Sequence, residues 1–504
     1  MQLVLDRTRE LPLHRQIELQ TRGLIEGGDL VPGNRLPASR GLARKLGVNR
    51  ATVTSAYDSL AAAGLVEARV GRGTRVAGRP ETPAKRAAAS SRTAAGARWS
   101  ERLAAGLDGL PRLEGPAGLE RRTDRIDFTG VVPDERLFPV DSLRRCVDDV
   151  LRRNGEQLLQ YGSTRGHAPF RDMIAQRLRL GGTRVDADEI LVVNGAQQGL
   201  ELFCKALLDP GDVVVVESPT YGNLLGLLRL YRADILPVRM TAEGLDLEQL
   251  EALLGRRRVK FLYTMPHFQN PTGITTERGH RERLLEIAAR HDLVLLEDGF
   301  EEELRWDGGE VLPLRALDPD GRVCYVGTFS KGLCPGFRIG WLVGARELIT
   351  DLAHLKRATD FHSSVLLQAA LAEFCRRGEY DKHLRRLRQV YRARMARTDE
   401  ALRAHMPPGT RWRLPAGGFC LWLELPQGVV DEELAARTAR DGVYLSPGRH
   451  FFVADPGYGC ARLSISRTSE EEIDKGLAIV GRHLHALTRE VGQRGRASEA
   501  RPYV

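Results

Sequence analysis

Five short runs of unbroken apolar, largely β-branched character constrain this chain more than any other feature. They are Ile190-Leu191-Val192-Val193-Asn194, Val213-Val214-Val215-Val216-Glu217, Phe261-Leu262-Tyr263-Thr264, Leu293-Val294-Leu295-Leu296-Glu297 and Val323-Cys324-Tyr325-Val326-Gly327. A strand with one wet face alternates apolar and polar residues, whereas a continuously apolar strand is covered on both faces. Segments of helical periodicity lie between the runs. The pattern therefore predicts an α/β body with a mostly parallel sheet under two layers of helices. Ligands of such sheets bind at the carboxyl ends of the strands, and polar, Gly or Pro residues follow closely on each run.

This pattern holds from about residue 125 to 490. Residues 8–78 instead read as three helices and a hairpin. Residues 79–124 are rich in Ala, Arg, Gly, Pro and Ser without apolar periodicity and read as a linker, and 491–504 as a basic tail. The net charge of +9 divides unevenly: +5 on residues 1–78, +3 on 79–124, +2 on 485–504 and −1 on the rest. A basic small domain beside a near-neutral large one suggests nucleic acid for the first and not for the second. The chain holds no run of about 18 apolar residues, which argues against a membrane span. The start Met1-Gln2-Leu3-Val4-Leu5-Asp6 has no secretory pattern. Seven scattered cysteines without C-x-x-C spacing argue against disulfides and zinc, and suit a reducing cytoplasm.

In the N-terminal region, Asn49 is placed to cap a helix whose Val53, Ala56 and Leu60 form one apolar face. Arg50, Thr52 and Thr54 fall near its start, the end that enters the major groove in a helix-turn-helix. Leu36-Pro37-Ala38-Ser39-Arg40 opens the partner helix, and Gly47 marks the turn. Val66 to Val76 reads as a hairpin with the tip Gly71-Arg72-Gly73. With Pro32-Gly33, Gly47-Val48-Asn49-Arg50 and Gly71-Arg72-Gly73-Thr74, residues 11–78 resemble the winged-helix domain of the GntR family. The resemblance implies that Arg40, Asn49, Arg50, Thr52, Gly71 and Arg72 touch double-stranded DNA.

In the body, Lys331 lies in Thr328-Phe329-Ser330-Lys331-Gly332-Leu333-Cys334-Pro335-Gly336-Phe337-Arg338-Ile339-Gly340-Trp341. A lysine beside small and hydroxyl residues at a strand end can form an imine with an aldehyde. Arg338, with Thr328 and Ser330, can clamp a phosphate. Gly195-Ala196-Gln197 opens a helix whose backbone N–H groups can cradle the same anion. Asp298, after the fourth run, can pair with a protonated pyridine nitrogen. Asn270 can donate to a ring oxygen, and Tyr221 can stack on the ring.

Residues of about 125–485 resemble the fold-type I aminotransferases, especially their aminoadipate and aromatic branch. This implies pyridoxal 5′-phosphate as cofactor with Lys331 as its covalent anchor. It also implies a homodimer in which Tyr161 reaches the neighbouring subunit's phosphate, and Arg462 as the grip on a substrate carboxylate. With the winged helix, the architecture resembles the MocR family of regulators. Promoter repeats and an amino compound or the cofactor itself become the expected partners. In the family a tyrosine usually stands two residues after the aspartate. Here Asp298-Gly299-Phe300 has phenylalanine, which removes one donor to the cofactor. An active aminotransferase with an appended DNA-binding domain is the alternative that the same residues allow.

Overall fold

The structure is a computed structural model that describes residues 5, 11–26, 30, 34–69, 73–77, 102–104, 106–107, 110, 125–309 and 311–499. The chain divides into two compact units, Met1–Trp99 and Ser100–Val504.

The first unit has helices Leu13–Glu26, Ser39–Leu46 and Arg50–Ala62, then the strands Val66–Arg69 and Gly73–Val76 paired as an antiparallel hairpin. Asn49 caps the third helix by accepting from Ala51 N at 3.0 Å. Val53, Ala56 and Leu60 are fully buried against Ile17, Leu42 and Val66, as the apolar periodicity predicts. Gly47 ends the second helix in the left-handed region (φ 64°), where a side chain would be strained. Leu36 N donates to Thr74 O at 2.9 Å and Val76 N to Asn34 O at 2.9 Å, so residues 34–36 add a third segment to the hairpin.

The second unit carries an eight-stranded sheet. From one edge its order is Ile190–Val193, Gly340–Val343, Val323–Thr328, Leu295–Asp298, Phe261–Thr264, Val213–Ser218, Asp234–Thr241 and Gly244–Leu245. The pairings from Val323–Thr328 across to Asp234–Thr241 are all parallel, while Gly340–Val343 runs antiparallel to both neighbours. All five apolar runs are strands here. Their residues are buried throughout apart from the strand ends, because helices such as Ala196–Leu207 cover one face and Ala168–Leu180 the other. A four-stranded sheet, Arg411–Trp412, Cys420–Glu424, Cys460–Ser464 and Ser446–Pro447 in spatial order, lies toward the C-terminus with the helix Glu470–Glu499.

Two expected boundaries shift. The final helix runs through residue 490 to Glu499, so the body does not end where the basic composition begins. Gly106, inside the stretch read as linker, is buried against the backbone of Leu230. The rest of the expected linker lies mostly outside the described residues. All seven cysteines are buried and unpaired. Among the described residues no helix is long and apolar enough to cross a membrane, and no cluster of metal-ligating side chains occurs.

Candidate functional site

The carboxyl ends of the parallel strands open into a pocket of about 760 Å³. Three segments deliver its anion-binding wall. Gly195 caps the helix Ala196–Leu207 with φ 80°. A Cβ there would lie 2.4 Å from Arg338 Nη2, so glycine is what lets the guanidinium close over the helix start. Arg338 is itself left-handed (φ 52°) and donates to Asn194 O at 3.2 Å. Thr328 Oγ1 donates to Ser330 Oγ at 3.0 Å and receives Ser330 N at 3.1 Å, which fixes both hydroxyls on one turn. Helix N–H groups, two hydroxyls and a guanidinium together form a strong anion site.

The rest of the pocket surrounds a single buried carboxylate. Asp298 ends the strand Leu295–Asp298 and is 3% exposed. Its Oδ2 accepts the Tyr263 hydroxyl at 2.8 Å, while Oδ1 has no partner among the described residues. Burial pushes this carboxyl up to about 6, against the pull of the Tyr263 hydrogen bond, the Phe300 backbone N–H and the Lys331 charge. Lys331 donates to the carbonyl of Val131, and loss of water holds its ammonium below the ordinary lysine range. Arg462 gives Nη1 to Asn270 Oδ1 at 3.0 Å and Nη2 to Thr129 O at 2.5 Å, and its Cζ sits 4.8 Å from the Phe451 ring centre. Tyr221 lines the pocket beside Gln197, with its hydroxyl receiving Asn223 Nδ2 at 2.9 Å.

The DNA-facing candidates behave differently. Arg40, Asn49 and Arg50 are exposed and Thr52 is half-buried, on the helices Ser39–Leu46 and Arg50–Ala62 or at their junction. Gly71 and Arg72 lie outside the described residues. Tyr57, on the third helix's inner side, donates its hydroxyl to Pro37 O at 2.9 Å and so ties that helix to the start of the second.

Residues 13–76 match the family of bacterial regulatory proteins, gntR family, and residues 130–480 match aminotransferase class I and II. The probable rhizopine catabolism regulatory protein MocR of Rhizobium meliloti is 34% identical over 91% of this chain and 91% of its own. This chain belongs to the MocR-type regulators. Aromatic-amino-acid aminotransferase 1 of Thermococcus litoralis is 34% identical over 71% of this chain and 88% of its own. Among solved structures, the alpha-aminoadipate aminotransferase of Thermus thermophilus, complexed with N-(5′-phosphopyridoxyl)-L-leucine, superposes with a TM-score of 0.72. It is 34% identical and covers 78% of this chain and all of its own. The kynurenine aminotransferase of Pyrococcus horikoshii gives a TM-score of 0.70 at 34% identity, over 72% of this chain and 91% of its own.

As a MocR-type regulator the chain thus joins a GntR DNA-binding domain to an aminotransferase fold, and that fold implies pyridoxal phosphate. Of the residues singled out by sequence, Gly195, Ala196, Gln197, Tyr221, Asn270, Asp298, Thr328, Ser330, Lys331, Arg338 and Arg462 converge in or on one pocket. Tyr161 does not. It is 81% exposed and stacks loosely on Phe361 and edge-on to His362, with ring centres 6.3 and 5.6 Å away. Phe300 does line the pocket. Sequence reasoning missed Tyr263, the partner of Asp298, since a tyrosine inside an apolar run reads as core. It also passed over the acidic triplet Glu301-Glu302-Glu303, which begins three residues after the strand end at Asp298.

Proposed function

We propose that this MocR-type regulator binds promoter repeats as a homodimer in the cytoplasm and holds pyridoxal 5′-phosphate at Lys331, sensing the cofactor itself or a small amino compound. The observation that carries the cofactor assignment is the pairing of opposite electrostatics across one pocket. A buried carboxylate with one unpartnered oxygen faces a phosphate-sized cradle of helix N–H groups, hydroxyls and Arg338. Asp298 Oδ1 needs a donor, and a protonated pyridine nitrogen is one; the Tyr263 hydroxyl keeps that carboxylate oriented.

Pyridoxal phosphate, when bound, supplies an aldehyde carbon and an electron-withdrawing ring. Lys331 is the nucleophile for that carbon, and its lowered ammonium pKa leaves more of it neutral and reactive. Gly195, Ala196, Gln197, Thr328, Ser330 and Arg338 would hold the phosphate, Tyr221 would cover the ring, and Asn270 would donate to its oxygen. Arg462 has a buried Nε without a hydrogen-bond partner beside its two engaged Nη groups, which suits it to grip a carboxylate on the effector. Tyr161, exposed on its own subunit, would complete the neighbour's phosphate site.

Arg40, Asn49, Arg50 and Thr52 would face DNA, with Gly71 and Arg72 at the wing. A promoter-binding assay run beside a turnover assay with an amino-donor panel tests the reading. Specific binding that changes when cofactor or amine is added supports it, and equal affinity for operator and random DNA counts against it. The second reading, an active aminotransferase, is weakened by Phe300. Its ring cannot donate, and the nearby Tyr263 hydroxyl is committed to Asp298. Turnover gained in Phe300→Tyr would show how much that one hydroxyl withholds.

A further inference from the structure

A second cavity, of about 510 Å³, backs onto the cofactor pocket, and Phe300 and Thr328 line both. The acidic triplet after Asp298 forms part of its wall, and the three carboxylates are not alike. Glu303 is fully engaged, by Arg177 Nη2 at 2.8 Å and by the Tyr380 hydroxyl at 2.6 Å. Glu301 is 2% exposed; its Oε2 accepts Phe419 N at 3.1 Å, yet its Oε1 has no partner among the described residues. Glu302 is half-buried, and its carboxylate is engaged by the Tyr325 hydroxyl of the same wall. The closest imidazole, His267, is 3.8 Å from Glu302 Oε2, and burial together with the Arg281 charge holds that ring well below its ordinary pKa, hence neutral.

The arginines of the same wall are occupied. Arg177 also pairs with Asp381, Arg388 donates to Glu303 O, and Arg305 lies over the Phe268 ring. A buried acceptor left unmade costs about 1–3 kcal/mol, more when charged, so the unpartnered Glu301 Oε1 in the wall of this cavity is unexplained by folding. Burial pushes the Glu301 carboxyl up to about 7, which leaves it poised to lose its proton when a cation arrives.

We propose that this cavity is a separate effector site for a small organic cation, an ammonium or guanidinium, seated on Glu301 with Glu302 beside it. Its purpose rests on the regulator reading, but its existence does not. The Glu301 carboxylate is also the charge that most favours the Lys331 ammonium. A cation on Glu301 competes with Lys331 for that carboxylate, so the occupant acts on the cofactor's attachment point through the shared wall without entering the cofactor pocket.

The test is calorimetric titration of the full chain with N-methylguanidinium, which does not condense with an aldehyde as an amine does, in the absence of DNA. Saturable binding is expected, weakened about 10- to 100-fold by Glu301→Gln. Leu180 stands at the cavity rim, 83% exposed, and Leu180→Lys should weaken binding several-fold by repulsion without disturbing the core. Arg338→Ala, in the phosphate cradle and not in this cavity, should leave binding saturable. No saturable binding to the unaltered chain overturns the proposal, as does binding that Arg338→Ala removes or that Glu301→Gln leaves intact. If Glu301→Gln does not fold, Leu180→Lys decides in its place. Failure here leaves promoter binding and its response to cofactor untouched, so the two readings fall separately.

Discussion

In the body, the innermost groups assigned to the ligand, Asp298, Asn270 and Arg462, are buried and already hydrogen-bonded within the protein. Asp298 holds Tyr263, and Arg462 holds Asn270 and the carbonyl of Thr129. In the winged helix the candidate contacts Arg40, Asn49 and Arg50 stand in solvent, above a core of Ile17, Val53, Ala56 and Leu60 that has no polar task. One region preorganises polar groups at the expense of its own stability. The other keeps stability and recognition on different residues. Substitution in the body should therefore move folding and function together, often in opposite directions, whereas substitution on the winged-helix surface should move binding alone.

The largest effect is expected at Lys331. Lys331→Ala should abolish the visible absorbance band of the lysine-bound cofactor, because no other amine lines the pocket among the described residues. A spectrum of the variant loaded with pyridoxal phosphate checks this, and an unchanged band would remove the cofactor assignment.

Asp298 sharpens the contrast. Its folded pKa of about 6 lies above the ordinary value of 3.8 because burial disfavours the charge. A carboxyl raised in this way favours the fold below about pH 4 and disfavours it increasingly as pH rises through 6. In the cofactor-free chain Asp298→Asn should then stabilise the body at neutral pH by on the order of 2–3 kcal/mol, an advantage that fades toward pH 4. The same change should weaken cofactor retention. Thermal unfolding at pH 4 and 7.5, with and without cofactor, reads both signs. Destabilisation at pH 7.5 without cofactor would mean that the region is not strained by this charge.

Legibility in the sequence follows the same division. The runs from Ile190 to Gly327 were readable because burial on both faces leaves no alternation, and the Asn49 cap because its spacing to Val53, Ala56 and Leu60 is local. The anion wall was readable too, since Gly195-Ala196-Gln197 and Thr328 to Arg338 are contiguous segments. What escaped depends on contacts across the sheet. Tyr263 meets Asp298 from a neighbouring strand 35 positions away, and Lys331 and Arg462 reach the carbonyls of Val131 and Thr129, 200 and 333 positions away. Carbonyl acceptors leave no mark on composition. The helix Glu470–Glu499 runs into the basic tail because helical hydrogen bonding is indifferent to the Arg content that suggested a boundary.

On the winged helix, Arg50→Ala should reduce discrimination between operator and random DNA by about 1–3 kcal/mol if the side chain reads a base. Its exposure predicts no change in the stability of the domain. Mobility-shift titrations at fixed salt, with thermal unfolding of the same samples, test both halves. Equal losses on operator and random DNA would reassign Arg50 to a phosphate.

Asn49 is where the division between stability and recognition should break down, with the smallest effect of the set. It is exposed and stands at the end of the third helix proposed to face DNA, yet its side chain also accepts Ala51 N at 3.0 Å as the helix cap. Asn49→Ala removes that acceptor and should cost about 1 kcal/mol, seen as faster amide hydrogen exchange along Arg50–Ala62. Asn49→Asp keeps the cap and adds a negative charge that the helix N-terminus favours by about 0.3–1 kcal/mol, so protection should hold or rise. The same charge faces phosphates on DNA and should weaken operator binding. The two variants thus separate the roles: alanine loosens the helix, and aspartate keeps the helix but loses DNA. If aspartate binds operator as well as asparagine does, Asn49 does not face the duplex, and the cap alone accounts for it.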